Sequence, residues 1–490
     1  MAKRRRARAS TRVERDTMGE MIVPASARYG AQTARALQNF PISGLGPHPA
    51  FVDATVRIKL AAARVNGRLG VLPRPRARAI AQAAREVLAG AHRDQFVVDV
   101  YQAGAGTSHH MNVNEVLAHR ATELLGGRQR VDPNDDVNLG QSTNDVVPTA
   151  IRLAALELAP GVIEALAGLA GTFEQKARAW DGVVKAGRTH LADATPIRLG
   201  QEVSGWAAAL RAAAGRVRDA LPELSVLGLG GTAVGTGLNA HPRYAREVVA
   251  ELERLTGVPL SPAQNPFYAM QSLAPFVALS GALRAAALEL LRIGGDVRLL
   301  GSGPATGLAE LRLPPVQPGS SIMPGKVNPS MAEMLAMVSY QVVALDGAVA
   351  WAASGGQLEL NVMMPLVAFD LCHALQILAA AVTAFDRRCA RGLTADAERC
   401  RAFAERTVSL ATALAPRLGY ARAAEIVKAS VASGRSIPEV AVLDGGAEAG
   451  RGPPPARPAE AHPARPRLKR RRGAWSAIGS RGWRSAWDSS

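Results

Sequence analysis

The sequence predicts an all-α protein built on a long central helix bundle with smaller N- and C-terminal domains, and three observations predict it. Nearly half of the 490 residues are apolar but only 4% are aromatic, a balance that favours tightly packed Ala- and Leu-rich helices over strands. Between 276 and 300, Leu279, Leu283, Ala286, Leu290, Ile293, Val297 and Leu300 recur at alternating steps of four and three, the stripe of a helix packed lengthwise in a bundle. Similar runs over 146–180, 196–220 and 330–352 are joined by Gly- or Pro-rich segments, LGLGGTAVGTGLN at 227–239 and PPVQPGSSIMPGKVNP at 314–329. Long antiparallel helices with functional loops between them fit this pattern.

In chain order, residues 1–12 read as a basic disordered arm and 13–143 as an N-terminal domain of short helical patterns broken by turn signals such as Pro41, Gly44 and Gly46. The central bundle is expected over 144–393 and a small helical domain over 394–442. Residues 443–490 form an atypical basic tail, Gly-, Pro- and Arg-rich from 449 onward, without an amphipathic period, and are expected to be disordered.

The net charge of +17 sits mostly in these two ends: +6 in residues 1–12 and +8 in residues 451–490, leaving +3 for the body. Basic tails contact polyanions weakly. No recognised nucleic-acid module accompanies them, so nucleic-acid binding is not expected as the main function. No uninterrupted apolar run nears the ~20 residues of a membrane span, and the basic N-terminus lacks the apolar stretch of a secretory signal. A cytoplasmic protein without membrane contact is expected. Cys372, Cys389 and Cys400 have no metal-type spacing and fit a reducing compartment.

Polar residues concentrate in four segments between apolar helices: GAGTSHHMNVNE (104–115), NLGQSTND (138–145), GRTH (187–190) and GSSIMPGKVNP (319–329). Each has an ordinary structural reading, because Ser, Thr and Asn before a helix are commonly N-caps and a lone histidine is commonly a hydrogen-bonding partner. Together they supply hydroxyls, amides, a lysine and helix N-termini, which is what binding two carboxylates requires. The glycines at 228–237 do not form G-x-G-x-x-G after a clear strand, which argues against a dinucleotide site. There is no G-x-S-x-G elbow and no zinc-ligand spacing. No cofactor and no metal are expected.

GSSIMPGKVNP resembles the signature loop of the aspartase/fumarase superfamily. RVERDTMGE (12–20), YGAQTARALQNFPISG (29–44), NVNEVLAHRA (112–121), GRTHLADATPIRLGQE (187–202), GGTAVGTGLN (230–239), LGSGP (300–304) and GQLELNV (356–362) resemble the same family in the same order, from about 12 to about 442. The resemblance implies a homotetramer with a twenty-helix core, its active sites shared between subunits, acting on a small dicarboxylate. It implies Ser320 as the general base, Lys326 and Asn328 as carboxylate-binding residues, and Thr107, Ser142, Thr143, Asn144 and Thr189 as further substrate contacts. His190 matches the site histidine and Glu333 its acidic partner. A serine hydroxyl is a poor base unless its oxyanion is stabilised, which loop N–H groups and Lys326 are placed to do.

Within the superfamily the sequence is mixed. SGW (204–206), GGTAVGTGLN and LGSGP lean toward class II fumarases. GAGTS (104–108), QSTND (141–145), PIRLGQE (196–202) and GQLELNVM (356–363) lean toward aspartate ammonia-lyases. Thr143 stands where fumarases usually carry a second serine, and Leu273 and Ala274 replace their polar His-Asp pair. Gln271 matches a glutamine common in aspartases. Elimination of ammonia from L-aspartate to give fumarate is therefore the main expectation and fumarate hydratase the alternative; a structural or polyanion-binding role through the basic ends is the non-enzymatic one. Two departures stand out: Asp132 replaces the His of the usual H-P-N-D motif, and His110 stands where both groups usually carry Asn.

Overall fold

The computed structural model describes residues 10–443; the expectations for residues 1–9 and 444–490, the disorder of the basic tail among them, lie outside the described residues. The chain opens with β1 (Thr11–Asp16) and β2 (Gly19–Pro24), an antiparallel hairpin in the register Thr11↔Pro24. This corrects the expected disorder at the end of the arm. Arg12 is pinned by the Glu14 carboxylate at 2.7 Å, the Tyr29 carbonyl at 2.9 Å and the carbonyl of Ala27, so its charge serves the fold.

Four helices follow: α1 (Ala31–Asn39), α2 (Pro49–Leu69), α3 (Arg74–Leu88) and α4 (Thr107–Leu124). They are longer than the expected short patterns. In α2 the alanines allow close approach on several faces, so no single apolar stripe announces it, whereas α3 buries Ala77, Ile80, Ala81, Ala84 and Val87 along one face. Val56, Leu60, Ile80, Ala84, Val113 and Leu117 form the core they share. The opposite face of α2, with Phe51, Ile58 and Val65, belongs to the core of the bundle instead, so α2 ties the two together.

The bundle consists of α5 (Thr143–Ala179), α6 (Leu199–Asp219), α10 (Ala274–Leu300), α11 (Ser330–Ser354) and α12 (Met364–Arg388). Between α6 and α10 lie α7 (Leu221–Leu224), α8 (Tyr244–Thr256) and α9 (Pro266–Gln271). At 37 residues α5 spans about 55 Å. Every residue of the predicted α10 stripe is buried, each large one contributing about 2 kcal/mol of burial. Four of these helices (α5, α10, α11 and α12 with its following turn) are long and apolar enough to cross a membrane by length and composition. The expectation that no segment reaches that length is thereby corrected: it counted unbroken runs, and isolated charges interrupt long apolar helices.

Between α5 and α6 the chain forms the hairpin β3 (Val184–Thr189) and β4 (Ala192–Arg198). α13 (Ala397–Arg406) packs against β3, and a small unit of α14 (Ala415–Leu418), α15 (Tyr420–Ser433) and α16 (Ile437–Leu443) ends the described chain around Ala411, Ile426, Ile437 and Val440.

Candidate active site

The polar segments collect at helix N-termini. At α4, residues 104–106 form a single tight turn with Ala105 at φ 59° and Gly106 at φ 88°. The turn is fixed by the Ala105 N–H, which donates to the Val362 carbonyl at 2.8 Å. A Cβ at Gly104 would lie 2.9 Å from that of Val362, so glycine is required there. Thr107 follows as the first, exposed residue of the helix.

At α5, Ser142 is the N-cap: its hydroxyl accepts from the Asn144 N–H at 3.2 Å, and its own N–H donates to the Asp145 carboxylate at 2.9 Å. The other Asp145 oxygen accepts from the N–H groups of Gly230 (2.9 Å) and Thr232 (3.1 Å). Burial pushes the Asp145 carboxyl up to about 6, against the pull of those N–H donors. The Asn144 amide donates to the Ala233 carbonyl at 2.7 Å. The glycine-rich loop is thus fastened to the start of α5, with the cap hydroxyl's proton left to donate outward.

The signature loop precedes α11. The Gly319 N–H donates to the Lys326 carbonyl and the Asn328 amide to the Gly319 carbonyl, both at 2.7 Å. Ser320 Oγ accepts from the N–H groups of Ile322 at 3.2 Å and Met323 at 3.0 Å. Two backbone donors therefore converge on the oxygen expected to act as a base, the arrangement that lowers the cost of negative charge on it. The Lys326 side chain is exposed, and Glu333 sits in the first turn of α11.

Thr189 and His190 lie at the tip of the β3–β4 hairpin. His190 (φ 57°) and Leu191 (φ 58°) are both left-handed, which is the type I′ turn normally made by Asn-Gly. Such strain in non-glycine residues collects at functional sites. The hairpin is anchored by Arg188, which donates to both Glu310 oxygens at 2.9 and 3.0 Å. Lys185 is buried between Glu310 (3.3 Å) and Glu202 (3.1 Å).

The predicted residues fall into three groups by element: Thr107 at the start of α4 and Ser142, Thr143 and Asn144 at the start of α5; Ser320, Lys326, Asn328 and Glu333 in the signature loop and first turn of α11; and Thr189 with His190 at the hairpin tip. Among the described residues no hydrogen bond or ion pair joins one group to another, and His190 and Glu333 do not pair within the chain. Among the described residues there is also no cluster of three His, Cys, Asp or Glu side chains able to hold a metal ion. Asp132, one of the departures, acts locally. Its carboxylate caps the next turn, accepting from the N–H groups of Asn134 (2.8 Å) and Asp135 (3.0 Å). Sequence reasoning missed Lys59, whose ammonium nitrogen is buried against His110, Asn138 and Gln141 behind Thr143. A lone lysine in the apolar run VRIKLAAA was the available signal.

Residues 19–344 match the family model described as lyase, and 410–449 match the fumarase C C-terminus. A class II fumarate hydratase of Ralstonia nicotianae is 47% identical over 89% of this chain and 96% of its own length. One of Thermus aquaticus is 48% identical over 88% and 94%. The class II fumarase of Schistosoma mansoni superposes with a TM-score of 0.87 at 38% identity, covering 89% of this chain and 96% of that one. A fumarate lyase:delta crystallin of Brucella melitensis gives 0.86 at 48% identity over the same shares.

These relatives overturn the expected ammonia elimination and favour hydration. The physical reason lies partly in residues used to discriminate. Leu273, 2% exposed, packs in the bundle core, so its apolar character reflects burial.

Proposed function

This chain belongs to the aspartase/fumarase superfamily, and from that premise we propose that it is a class II fumarate hydratase, interconverting fumarate and L-malate. The observation that carries the reading is the identity of nearly one half to class II fumarate hydratases over almost nine-tenths of the chain. The Ser320 geometry supports it chemically.

In the dehydration direction a base removes a proton from C3 of malate, next to the C4 carboxylate. That proton is very weakly acidic, and the electron pair is accommodated only as a dianionic aci-carboxylate held by fixed donors. The C2 hydroxyl then takes up a proton through the water at His190 and leaves as water. Ser320, its oxygen met by two loop N–H groups, is the base. Lys326 and Asn328, with Thr107, Ser142, Asn144 and Thr189, bind the carboxylates, aided by the N-termini of α4 and α5, and Thr143 faces the C2 substituent. His190, paired with Glu333 of another subunit, holds the water that is added or lost.

This division of labour requires an oligomer, and α11 supports one. Met337, Tyr340, Ala344, Gly347 and Trp351 recur at steps of three and four on its exposed face, a second seam opposite the one buried in the chain. Trp351 is 81% exposed and Tyr340 61%. A homotetramer bundled along this seam would bring the three groups of site residues together.

The test is hydration of fumarate in deuterium oxide enriched in ¹⁸O. The expected product is L-malate with one deuterium at C3 and ¹⁸O at C2. No labelled malate from the purified protein would refute the reading.

A further inference from the structure

His110 stands where the family resemblance expects an asparagine, and its surroundings specify what it does. Lys59 of α2 is fully buried. Its Nζ lies 2.6 Å from His110 Nε2, 2.9 Å from Asn138 Oδ1 and 3.0 Å from Gln141 Oε1. The orientation of both amides is set independently. Gln141 Nε2 donates to the carbonyls of Val137 (3.1 Å) and Leu139 (3.3 Å), and Asn138 Nδ2 donates to the Gln141 carbonyl at 3.3 Å. It is therefore the oxygens that face Lys59. An ammonium group has three N–H donors and no acceptor, and three acceptors meet it here.

That arrangement dictates the next proton. If Nε2 of His110 accepts from Lys59, a neutral imidazole carries its hydrogen on Nδ1. Burial and the adjacent ammonium both hold the ring neutral. Nδ1 lies 2.8 Å from Thr143 Oγ1, so Nδ1–H donates to the hydroxyl. The proton of Thr143 must then point elsewhere, away from the ring at the start of α5. The converse arrangement, a neutral amine accepting from Nε2–H, would turn the Thr143 proton inward to Nδ1 and leave its oxygen as an acceptor. Burial holds the Lys59 pKa well below that of a free lysine and so favours the neutral amine, against the charge of Asp145; the ammonium is the form that donates to all three partners around Nζ.

We propose that Lys59 and His110 are positioning residues that fix Thr143 as a hydrogen-bond donor to substrate oxygen, and so select a hydroxy acid over its amino analogue. A threonine oxygen free to accept would welcome an ammonium group; one already accepting from His110 and presenting its proton meets an oxygen instead. Polar discrimination of this kind separates analogues of nearly equal size. The proposal rests on the placement of Thr143 in the substrate site, and its test separates the two.

Two measurements on the full-length assembled enzyme decide it. With ¹⁵N-labelled histidine, the His110 signal, identified by its loss in His110→Asn, is expected to be that of the neutral Nδ1–H form. An Nε2–H form or an imidazolium overturns the proposal whatever the activity. In a double-mutant cycle, Lys59→Met is expected to raise KM for L-malate by about tenfold, the scale of one lost hydrogen bond, and to add less than about twofold when Thr143 is already Val. His110→Asn, whose amide can accept from Lys59 and donate to Thr143, should stay within about threefold of wild type. Full additivity of Lys59→Met and Thr143→Val means that Lys59 acts structurally and refutes the relay. Wild-type kinetics in Thr143→Val remove Thr143 from the site and with it the selectivity role, leaving the tautomer result to stand or fall alone.

Discussion

A serine oxygen serves as a base only where its negative charge has partners, and at Ser320 the partners are the N–H groups of Ile322 and Met323. Ser320→Ala should reduce kcat by about 10²-fold or more with little change in KM, the scale of a positioned base. Lys326→Ala should raise KM as well as lower kcat if, as proposed, the exposed ammonium pairs with a carboxylate in ground and transition states alike. Steady-state kinetics on both variants separate the roles; a near-wild-type kcat in Ser320→Ala contradicts the assignment of the base. The roles proposed for these residues come from the loop motif. Their second roles do not, for nothing in the motif says that the Asn328 amide locks the Gly319 carbonyl. Substrate preference was not legible at this scale either. Leu273 occupies a position polar in fumarases yet is core, and the donor or acceptor character of Thr143 depends on Lys59, 84 positions away and out of reach of local reading.

At the scale of elements, the helices announced themselves where a stripe faced one core, as in α10, and were underestimated where alanine packed on several sides, as in α2. The β3–β4 hairpin was not legible, because His190 and Leu191 are not turn-forming residues and are held there by the strand ladder and by the anchors at Arg188 and Lys185. A similar long-range anchor starts α1. The Glu115 carboxylate accepts from the N–H groups of Gly30 (2.8 Å), Gln32 (2.9 Å) and Thr33 (3.1 Å) and from the Thr33 hydroxyl (2.6 Å). Burial pushes its pKa up and these donors oppose the rise. Glu115→Gln sets an amide N–H₂ against a backbone N–H and should cost about 1–3 kcal/mol. Urea denaturation would register it as a lower midpoint at unchanged slope; an unchanged midpoint contradicts the role given to this carboxylate.

At the scale of the molecule, no hydrogen bond or ion pair joins the three groups of site residues among the described residues, while an apolar seam on α11 faces outward. Trp351→Glu places a charge in that seam and should dissociate the assembly and remove activity together, read by sedimentation velocity and rate on the same samples. An active dissociated chain would contradict the shared site. The central claim is tested most directly by initial rates of fumarate formation, followed by ultraviolet absorbance, from L-malate and L-aspartate side by side at pH 8. A hydratase should turn over L-malate with kcat/KM at least about a hundredfold above that for L-aspartate, the discrimination available to a site built on directed hydrogen bonds. Faster fumarate formation from L-aspartate than from L-malate would contradict it.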